Sequence, residues 1–250
     1  MLLIDAGNTI VKCRVFDGEK ISDYRFFLNG TDVDDSDKLR ALLLGIKGNS
    51  VYLASVASES VVQQIEVLVS ECMSQSMMTR LVTLPSLGEV NNAYGDNYTQ
   101  LGVDRWLTLL AAHDMGNTDV IVIDAGSAIT IDLLSQNGSH LGGAILAGVR
   151  TDSSRFRQIF SRLDFTSPEV KEVQNPGRST LECIHLTGEI DVVNYTLSLI
   201  QRWVVNMDSP VKILLCGQDA DKISPLLTQE FQIVPDLVFR GMLKQVQLQG

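Results

Sequence analysis

Apolar and polar positions along this chain follow two periodicities, one typical of strands and one typical of helices. Patterns typical of strands lie at residues 1–28, which predict three strands with a turn at Asp17-Gly18, and at residues 51–56, 81–84, 211–216 and 231–234. Amphipathic patterns typical of helices lie at residues 37–46, 60–73, 101–115, 151–163, 180–206, 219–230 and 236–246. Ser60 with Gln63 fits a capping box at the start of the second helix. Strands that alternate with helices predict mixed or parallel sheets covered by helices.

The first strand and the turn after it carry the first indication of chemistry. An apolar run ends at Asp5, Gly7 lies in the turn, and an apolar alternation resumes as far as Lys12. Glycine in such a turn can adopt positive φ and lets a ligand approach the backbone, and Asn8 and Thr9 offer short polar groups that suit a phosphate. A carboxylate at the strand end can hold a hydrated Mg²⁺ ion against phosphate oxygens. The alternative is that this segment is only a structural hairpin.

A second copy of this pattern lies in the other half of the chain. Residues 122–131 align without a gap on residues 3–12, so that Asp124 matches Asp5 at a distance of 119 positions. This half begins at Val120 with three predicted strands, with a turn at Asn137-Gly138. This repeat predicts an α/β protein with a duplicated actin-like (ribonuclease H-like) fold. Two similar mixed-sheet lobes flanked by helices, residues 1–116 and 117–250, would face a nucleotide cleft between them.

Composition narrows the class of function. The chain has 250 residues and a net charge of −10, which argues against binding of nucleic acid over a broad surface. No run approaches ~18 apolar residues, so we expect no membrane span, and the N-terminus lacks the basic segment and cleavage site of a signal peptide. The four cysteines form no C-x-x-C pair, which predicts reduced, buried thiols and a cytoplasmic location.

The sequence contains no strong metal-binding pattern. His113, His140 and His185 show no ligand spacing, so we expect ordinary surface or half-buried roles for them. The aspartates of residues 32–37 lack the glycine and the terminal glutamate of a calcium loop, which favours a solvated loop.

Several further motifs join the two repeats into one recognisable pattern. They are a tyrosine-bearing loop at residues 86–98, L-G-x-D-R-W at 101–106, D-x-G-x-A-x-T-x-D at 124–132, G-G-x-I at 142–145, a threonine at 180 and P-D-L-V-x-x-G at 235–241. Over nearly its whole length the chain resembles the type III pantothenate kinases. The resemblance implies transfer of the γ-phosphoryl group of ATP to the primary hydroxyl of pantothenate, the first committed step toward coenzyme A. It also implies Mg²⁺, a monovalent cation (K⁺ or NH₄⁺) and a homodimer with active sites at the subunit interface.

The same resemblance assigns the substrate site. Asp104 would be the general base, and a carboxylate in the first turn of a helix, stabilised there by the helix dipole, can accept a hydroxyl proton. The alternative for Asp104 is a helix-capping role. The pantothenate site would be lined by Tyr94, Gly102, Val103, Asp104 and Arg105, with Thr180 reaching it from the neighbouring subunit. Arg105 is the candidate partner of the substrate carboxylate; the alternative is a surface ion pair.

The nucleotide and cation sites are assigned in the same way. Asp124 would hold the monovalent cation, and Ser127 would contact ATP; the alternative for Asp124 is a hydrogen-bonding acid at a strand end. Lys12 could screen phosphate charge or lie on an exposed strand face. The first ATP phosphate turn would consist of Asp5, Ala6, Gly7, Asn8, Thr9, Ile10, Val11 and Lys12, with Asp5 reaching Mg²⁺ through phosphate or water.

The chain departs from the family pattern at several positions. Ser127 stands where many members have threonine, Ala147 and Tyr98 stand where proline is common, and Gln218 replaces a glycine beside the nucleotide. Serine keeps the hydroxyl group, so we expect little change at position 127. Gln218 removes a position at which the backbone could approach the adenosine closely.

Two other functions compete with the kinase. One is a catalytically weak homologue that acts as a transcriptional accessory protein through a protein partner. The other is a different actin-like phosphotransferase, such as a sugar kinase or a polyphosphatase. The retained acids Asp5, Asp104 and Asp124 favour the kinase over the first, and the L-G-x-D-R-W segment favours it over the second.

Overall fold

The chain forms two compact units, which we describe from a computed structural model. The structure describes residues 1–17, 20–26, 35–46, 50–73, 77–116, 118–148, 194–204, 210–227 and 230–250. The first unit comprises Met1–Gly116, Asn137–His140 and Asp236–Gly250, and the second comprises Asn117–Gln136 and Leu141–Pro235.

A five-stranded sheet organises the first unit. Its strands are β1 (Leu2–Ala6), β2 (Val11–Asp17), β3 (Lys20–Phe26), β4 (Ser50–Ser55) and β5 (Met77–Arg80), in the order β3-β2-β1-β4-β5. The central strand β1 pairs antiparallel with β2 and parallel with β4. All five of its residues are buried, which is the expected pattern for a strand covered on both faces.

Helices α1 (Ser36–Gly45) and α2 (Glu59–Cys72) cover one face of this sheet. The shared core uses alternate positions of β1, since Leu2, Ile4 and Ala6 belong to it. The helices add residues at helical spacing, namely Leu39, Leu43, Val61, Val62, Ile65, Leu68 and Val69.

The second unit repeats this topology. Its strands are β8 (Asp119–Ala125), β9 (Ala128–Leu134), β10 (His140–Ala147), β11 (Val211–Cys216) and β12 (Phe231–Ile233), in the order β10-β9-β8-β11-β12. β8 pairs antiparallel with β9 and parallel with β11, as β1 does with β2 and β4. Residues 194–204 form helix α4, and α5 (Ala220–Ile223) leads into a short 3₁₀ turn at Ser224–Leu226. The repeat detected in the sequence is thus a repeat of structure.

Two helices and a loop complete the first unit. The loop contains strands β6 (Ser86–Leu87) and β7 (Val90–Asn91) and a 3₁₀ helix at Gly95–Gln100. It leads into α3 (Val103–Asp114), which packs against the C-terminal helix α6 (Leu237–Gln249). A side chain at Gly241 would overlap the backbone of Leu107, so the two helices approach as closely as a glycine allows. The fully buried indole of Trp106 donates a hydrogen bond to Gln245 at 3.2 Å.

The structure corrects four local predictions. Residues 81–84 are not a strand, because the edge strand is β5, although Leu81 and Thr83 are buried. Helix α2 begins one residue before Ser60, and no side-chain capping bond forms there. The helix predicted at 219–230 ends at Ile223, since Pro225 lacks the N–H that would continue it. The loop at 86–98 contains short strands that its polar, turn-rich sequence did not predict.

The division of the chain into an N-terminal lobe, 1–116, and a C-terminal lobe, 117–250, stays a prediction. By contacts, residues 236–250 lie in the first unit, which the sequence did not predict. The predicted helix at 151–163 and the first part of the predicted helix at 180–206 lie outside the described residues. Among the described residues, no helix has the length and apolar character needed to cross a bilayer.

Candidate active site

The first Asp-Ala-Gly turn joins β1 to β2. Its four residues 7–10 lie between the strands, and the N–H of Gly7 donates to the carbonyl of Ile10 at 3.1 Å. Asn8 and Thr9 are exposed at its tip. The turn therefore presents short polar side chains and backbone to solvent at the end of a buried strand, which is an arrangement that can bind a phosphate.

Asp5 lies beneath this turn with 7% of its surface exposed. Lys12 is its partner in the β1–β2 register, and the Lys12 Nζ lies 3.6 Å from Asp5 Oδ2. Burial raises the pKa of Asp5 above its ordinary value; the Lys12 charge opposes this effect, and the Asp104 charge adds to it. Ionised Asp5 would therefore be stabilised by a further cation, which fits a role beside Mg²⁺.

Asp104 occupies the first turn of α3, as predicted, and its side chain is half-buried. Its Oδ1 accepts a hydrogen bond from the N–H of Arg105 at 2.7 Å. Gly102 provides the space for this carboxylate, because a Cβ at position 102 would lie 2.5 Å from Asp104 Oδ1. The φ of Gly102 is −53°, so the glycine is needed here for room rather than for backbone conformation.

Arg105 is buried, with 5% of its surface exposed. Its Nη1 donates to the hydroxyl of Tyr94 at 3.2 Å. The predicted alternative of a surface ion pair does not fit this burial. A guanidinium group held in a buried position beside a phenol can recognise a carboxylate in a fixed geometry. The structure thus brings Tyr94, Asp104 and Arg105 together, with Asp5 close enough to Asp104 for their charges to interact.

The second turn joins β8 to β9 and is tighter than the first. Only Gly126 and Ser127 lie between the strands, and the N–H of Gly126 donates to the carbonyl of Ala128 at 3.0 Å. Ser127 is exposed, and its carbonyl accepts from the N–H of Gly148 at 3.1 Å. The gapless alignment of the two repeats therefore conceals a difference in turn width. The wider first turn has the longer exposed backbone for contact with a ligand.

Asp124 is the half-buried penultimate residue of β8, and it lies beside the loop that follows β11. Gly217 in that loop has φ +91°, and a Cβ there would lie 2.5 Å from Asp124 Oδ1 and would overlap the carbonyl of Ala125. The backbone at Gly217 therefore packs closely against a carboxylate and a backbone carbonyl, and oxygen atoms of these two kinds are the ligands that hard cations prefer. This donor set fits the chemistry of a monovalent cation. No group of three His, Cys, Asp or Glu side chains that could hold a metal occurs in the described ranges.

The structure also contains residues near the predicted site that the sequence did not single out. His140 is buried and stacks on Tyr94, whereas we expected a surface or half-buried role. Asn92 is buried and accepts the N–H of Tyr94 at 3.0 Å. The only sign of this contact in the sequence is that His140 closely follows the predicted Asn137-Gly138 turn. Thr180, predicted to reach the substrate from a neighbouring subunit, lies outside the described residues.

Comparison with known proteins identifies relatives over almost the whole chain. A family model described as type III pantothenate kinase matches residues 1–200. A type III pantothenate kinase of Pseudomonas paraeruginosa is 31% identical over 249 residues, which cover 97% of this chain and 97% of that protein. A type III pantothenate kinase of Chromobacterium violaceum is 30% identical over 245 residues, which cover 97% of this chain and 98% of that protein.

Solved structures support the fold. A Campylobacter jejuni protein named for the Baf family of transcriptional activators superposes with a TM-score of 0.58 at 22% identity, covering 99% of this chain and 98% of that one. Acetate kinase from Entamoeba histolytica superposes with a TM-score of 0.52 at 8% identity, again covering 99% and 98%. At these identities the likeness concerns the fold alone. Together with the repeated strand order, it confirms the predicted duplicated actin-like fold.

Proposed function

We propose, because this chain belongs to the type III pantothenate kinase family, that it transfers the γ-phosphoryl group of ATP to the primary hydroxyl group of pantothenate. As a member of that family, the chain is an ATP-dependent kinase of coenzyme A biosynthesis. The observation that carries the proposed reaction lies at the start of α3, where the half-buried Asp104 carboxylate accepts the backbone N–H of Arg105 and the side chain of Arg105 is buried and bonded to Tyr94.

Arg105 is the residue we assign to the carboxylate of pantothenate. Its side chain is buried and its hydrogen bond to Tyr94 limits its movement, so little conformational entropy remains to be lost when the substrate binds. Val103 is buried in the same helical turn, and Gly102 leaves room for the base. Tyr94, Gly102, Val103, Asp104 and Arg105 would therefore form the pantothenate site, completed by Thr180 of a second subunit in a homodimer.

The phosphate groups of ATP are assigned to the two turns. Residues Asp5–Lys12 would contact the phosphates through the exposed first turn, and Ser127 would contact ATP from the second. Asp5 would adjoin Mg²⁺ through phosphate or water, and Asp124 would hold K⁺ or NH₄⁺ beside Gly217. When bound, these cations neutralise negative charge that develops on the phosphoryl oxygens. Lys12 adds a fixed positive charge on the same side as Asp5.

The transfer itself needs one base. The primary hydroxyl oxygen of pantothenate attacks the γ-phosphorus, its bond to phosphorus forms, and the bond between the γ-phosphorus and the oxygen of ADP breaks. Asp104 accepts the hydroxyl proton as this happens. The Arg105 N–H bond to Asp104 Oδ1 helps to fix the orientation of the carboxylate.

A cytoplasmic location completes the proposal. The described cysteines Cys13, Cys72 and Cys216 are free thiols, and burial raises the pKa of Cys13, which keeps that thiol protonated and unreactive. Free thiols of this kind are typical of a reducing compartment, where ATP is also available.

The decisive experiment measures ATP-dependent phosphorylation of pantothenate with and without K⁺ or NH₄⁺, for the wild-type chain and for Asp104→Asn. Loss of the base should lower kcat by about 10²–10⁴-fold. Asp114→Asn is the matched control, because Asp114 lies at the other end of α3, where it pairs with Lys244 at 2.6 Å. Its kcat should stay within about twofold of wild type, since exposed ion pairs contribute little. A folded wild-type chain without turnover under any cation would contradict the proposal and would direct attention to the accessory role.

A further inference from the structure

His140 is a buried polar residue that the proposed reaction leaves without a role. It begins β10, directly after the Asn137-Gly138 turn, and only 4% of its surface is exposed. A buried imidazole is costly unless its nitrogen atoms have hydrogen-bond partners. Its contacts therefore indicate what the residue does.

Those contacts converge on the segment that carries Tyr94. The Nδ1 of His140 accepts a hydrogen bond from the N–H of Ala93 at 3.4 Å. The imidazole ring also stacks on the ring of Tyr94, with 6.0 Å between the centroids and 26° between the planes. His140 thus contacts both the backbone immediately before Tyr94 and the face of its side chain.

Further contacts hold the backbone and the hydroxyl group of Tyr94. The Oδ1 of Asn92 accepts the N–H of Tyr94 at 3.0 Å, and the Nδ2 of Asn92 donates to the carbonyl of Tyr98 at 3.2 Å. The Tyr94 hydroxyl accepts from Arg105 at 3.2 Å. A displacement of the Tyr94 ring would therefore change the position of the guanidinium group that we assign to the substrate carboxylate.

The backbone that carries His140 is fixed against the same loop. The N–H of Asn91 donates to the carbonyl of Gly138 at 2.9 Å, and Asn91 forms an isolated bridge with Ser139. Gly138 has φ +81°, and a Cβ there would overlap the carbonyl of Glu89. The turn and the tyrosine loop are therefore in direct backbone contact, and the imidazole has a defined position relative to Tyr94.

We infer that His140 is a positioning residue for pantothenate binding, which acts by holding Tyr94 and, through it, Arg105. This inference rests on the proposed function, because it assigns Tyr94 and Arg105 to pantothenate. It predicts that His140 sets the affinity for pantothenate and leaves ATP binding and the chemical step unaffected. A histidine that served only the stability of the fold would have no such selectivity.

Three variants separate the two contacts. His140→Phe keeps an aromatic face and loses the acceptor, His140→Asn keeps an acceptor and loses the face, and His140→Ala loses both. One stacking contact and one hydrogen bond each correspond to about 2–10-fold in an equilibrium constant. The Phe and Asn variants should therefore raise the KM for pantothenate by about 2–10-fold each, and the Ala variant by about 4–100-fold. The KM for ATP and kcat should stay within about twofold in all three, because neither contact involves the base or the nucleotide.

Tyr24→Ala is the control for loss of a stacked aromatic ring in the same unit. Tyr24 stacks on Phe26 in the edge strand β3, with 6.4 Å between the centroids, and its loss should leave the KM for pantothenate unchanged. A double-mutant cycle with Tyr94→Ala tests the route of the effect. If His140 acts through Tyr94, the change caused by His140→Ala should largely disappear in the Tyr94→Ala background.

Each result decides between the inference and its alternative. A fall in kcat together with equal rises in the KM for ATP and the KM for pantothenate would overturn the positioning role. Additive effects in the cycle would overturn it too. Failure of the proposed function is seen separately, in the wild-type chain. If that chain binds pantothenate by calorimetry without phosphorylating it, the ratio of Kd values for His140→Ala and wild type decides the inference. If it binds no pantothenate, both are wrong.

Discussion

At the scale of single residues, the active site depends on small side chains that leave space for functional ones. Gly102 has an ordinary negative φ, so an alanine would fit the backbone, yet its Cβ would lie 2.5 Å from Asp104 Oδ1. Gly217 combines positive φ with the same kind of proximity to Asp124. In both cases the glycine allows a carboxylate to occupy its observed position.

Gly102→Ala should therefore reduce catalysis with little effect on folding. A displaced base can cost up to about 10²-fold in rate, so we expect kcat to fall by about 10–100-fold while the melting temperature changes little. Gly45→Ala is the control, because no atom lies within 4 Å of the added Cβ and kcat should be unchanged. A melting temperature that falls markedly while kcat is preserved would show that Gly102 serves the fold rather than the position of Asp104.

Arg105 leads to a second prediction at this scale, on substrate recognition. Arg105→Gln removes the charge that we assign to the carboxylate of pantothenate, so the KM for pantothenate should rise by about 10–100-fold. The alcohol analogue of pantothenate, which lacks the carboxylate, should be a poor substrate for the wild type. The variant should use this analogue about as well as the wild type does. If the substitution raises the KM for pantothenate and the KM for the analogue to the same extent, Arg105 does not recognise the carboxylate.

At the scale of elements, the C-terminal helix α6 is attached to the first sheet by a group of charged residues. Arg14 on β2 binds Asp236 at 2.9 Å and Asp23 at 2.6 Å, and its guanidinium carbon lies 4.9 Å from the Phe239 ring centroid. Arg240 binds the other oxygen of Asp236 at 2.9 Å. Residues from both ends of the chain thus hold the first turn of α6 in place.

This attachment should depend on pH. Burial alone would raise the pKa of Asp236, but hydrogen bonds from Arg14 and Arg240 outweigh it and the net pKa is lowered. A lowered folded-state pKa means that the carboxylate stabilises the fold above its unfolded-state pKa and that this stabilisation is lost as the pH falls through the folded-state value. Asp236→Asn should therefore lower the free energy of unfolding by about 1 kcal/mol at neutral pH and by nothing once Asp236 is protonated.

Urea unfolding at neutral pH and at a series of acid pH values measures this difference. Asp23→Asn is the matched control, because it removes the other carboxylate bound to Arg14 and leaves the contact with α6 intact. Amide hydrogen exchange in the first turn of α6 should accelerate only in Asp236→Asn. A stability difference that is the same at all pH values would show that the charge of Asp236 is not the cause.

At the scale of the whole molecule, the proposed homodimer makes a prediction about shared sites. If Thr180 completes the site of the neighbouring subunit, Asp104→Asn and Thr180→Ala dimers each lack one component. Subunit exchange between them creates heterodimers in which one of the two sites is intact, so mixing should restore up to about a quarter of wild-type activity. Asp104→Asn mixed with Arg105→Gln should restore none, because both residues come from the same subunit. Recovery in neither mixture would mean that Thr180 acts within its own subunit or not at all.

The parts of this protein that the sequence predicted are those set by local patterns. The buried strands β1 and β8, their Asp-Ala-Gly turns and the position of Asp104 in the first turn of α3 follow from residues adjacent in the chain. The period of the apolar residues and the residue types in turns encode such features, because a strand or a helix needs its apolar positions at fixed short intervals. The duplication was visible for the same reason.

Contacts between residues distant in the sequence were decided only by the tertiary structure. The hydrogen bond from Ala93 to His140 joins residues 47 positions apart, and that from Trp106 to Gln245 joins residues 139 positions apart. The edge strand β5 is exposed at three of its four residues, so its place in the sheet depends on backbone pairing that apolar patterns do not record. Local patterns specify which elements form, and packing then decides which helix covers which sheet and which imidazole contacts Tyr94. For that reason local patterns were enough to predict the duplicated fold and to propose Asp5, Asp104 and Asp124 as site residues, whereas long-range packing places α6 in the first unit and His140 against Tyr94.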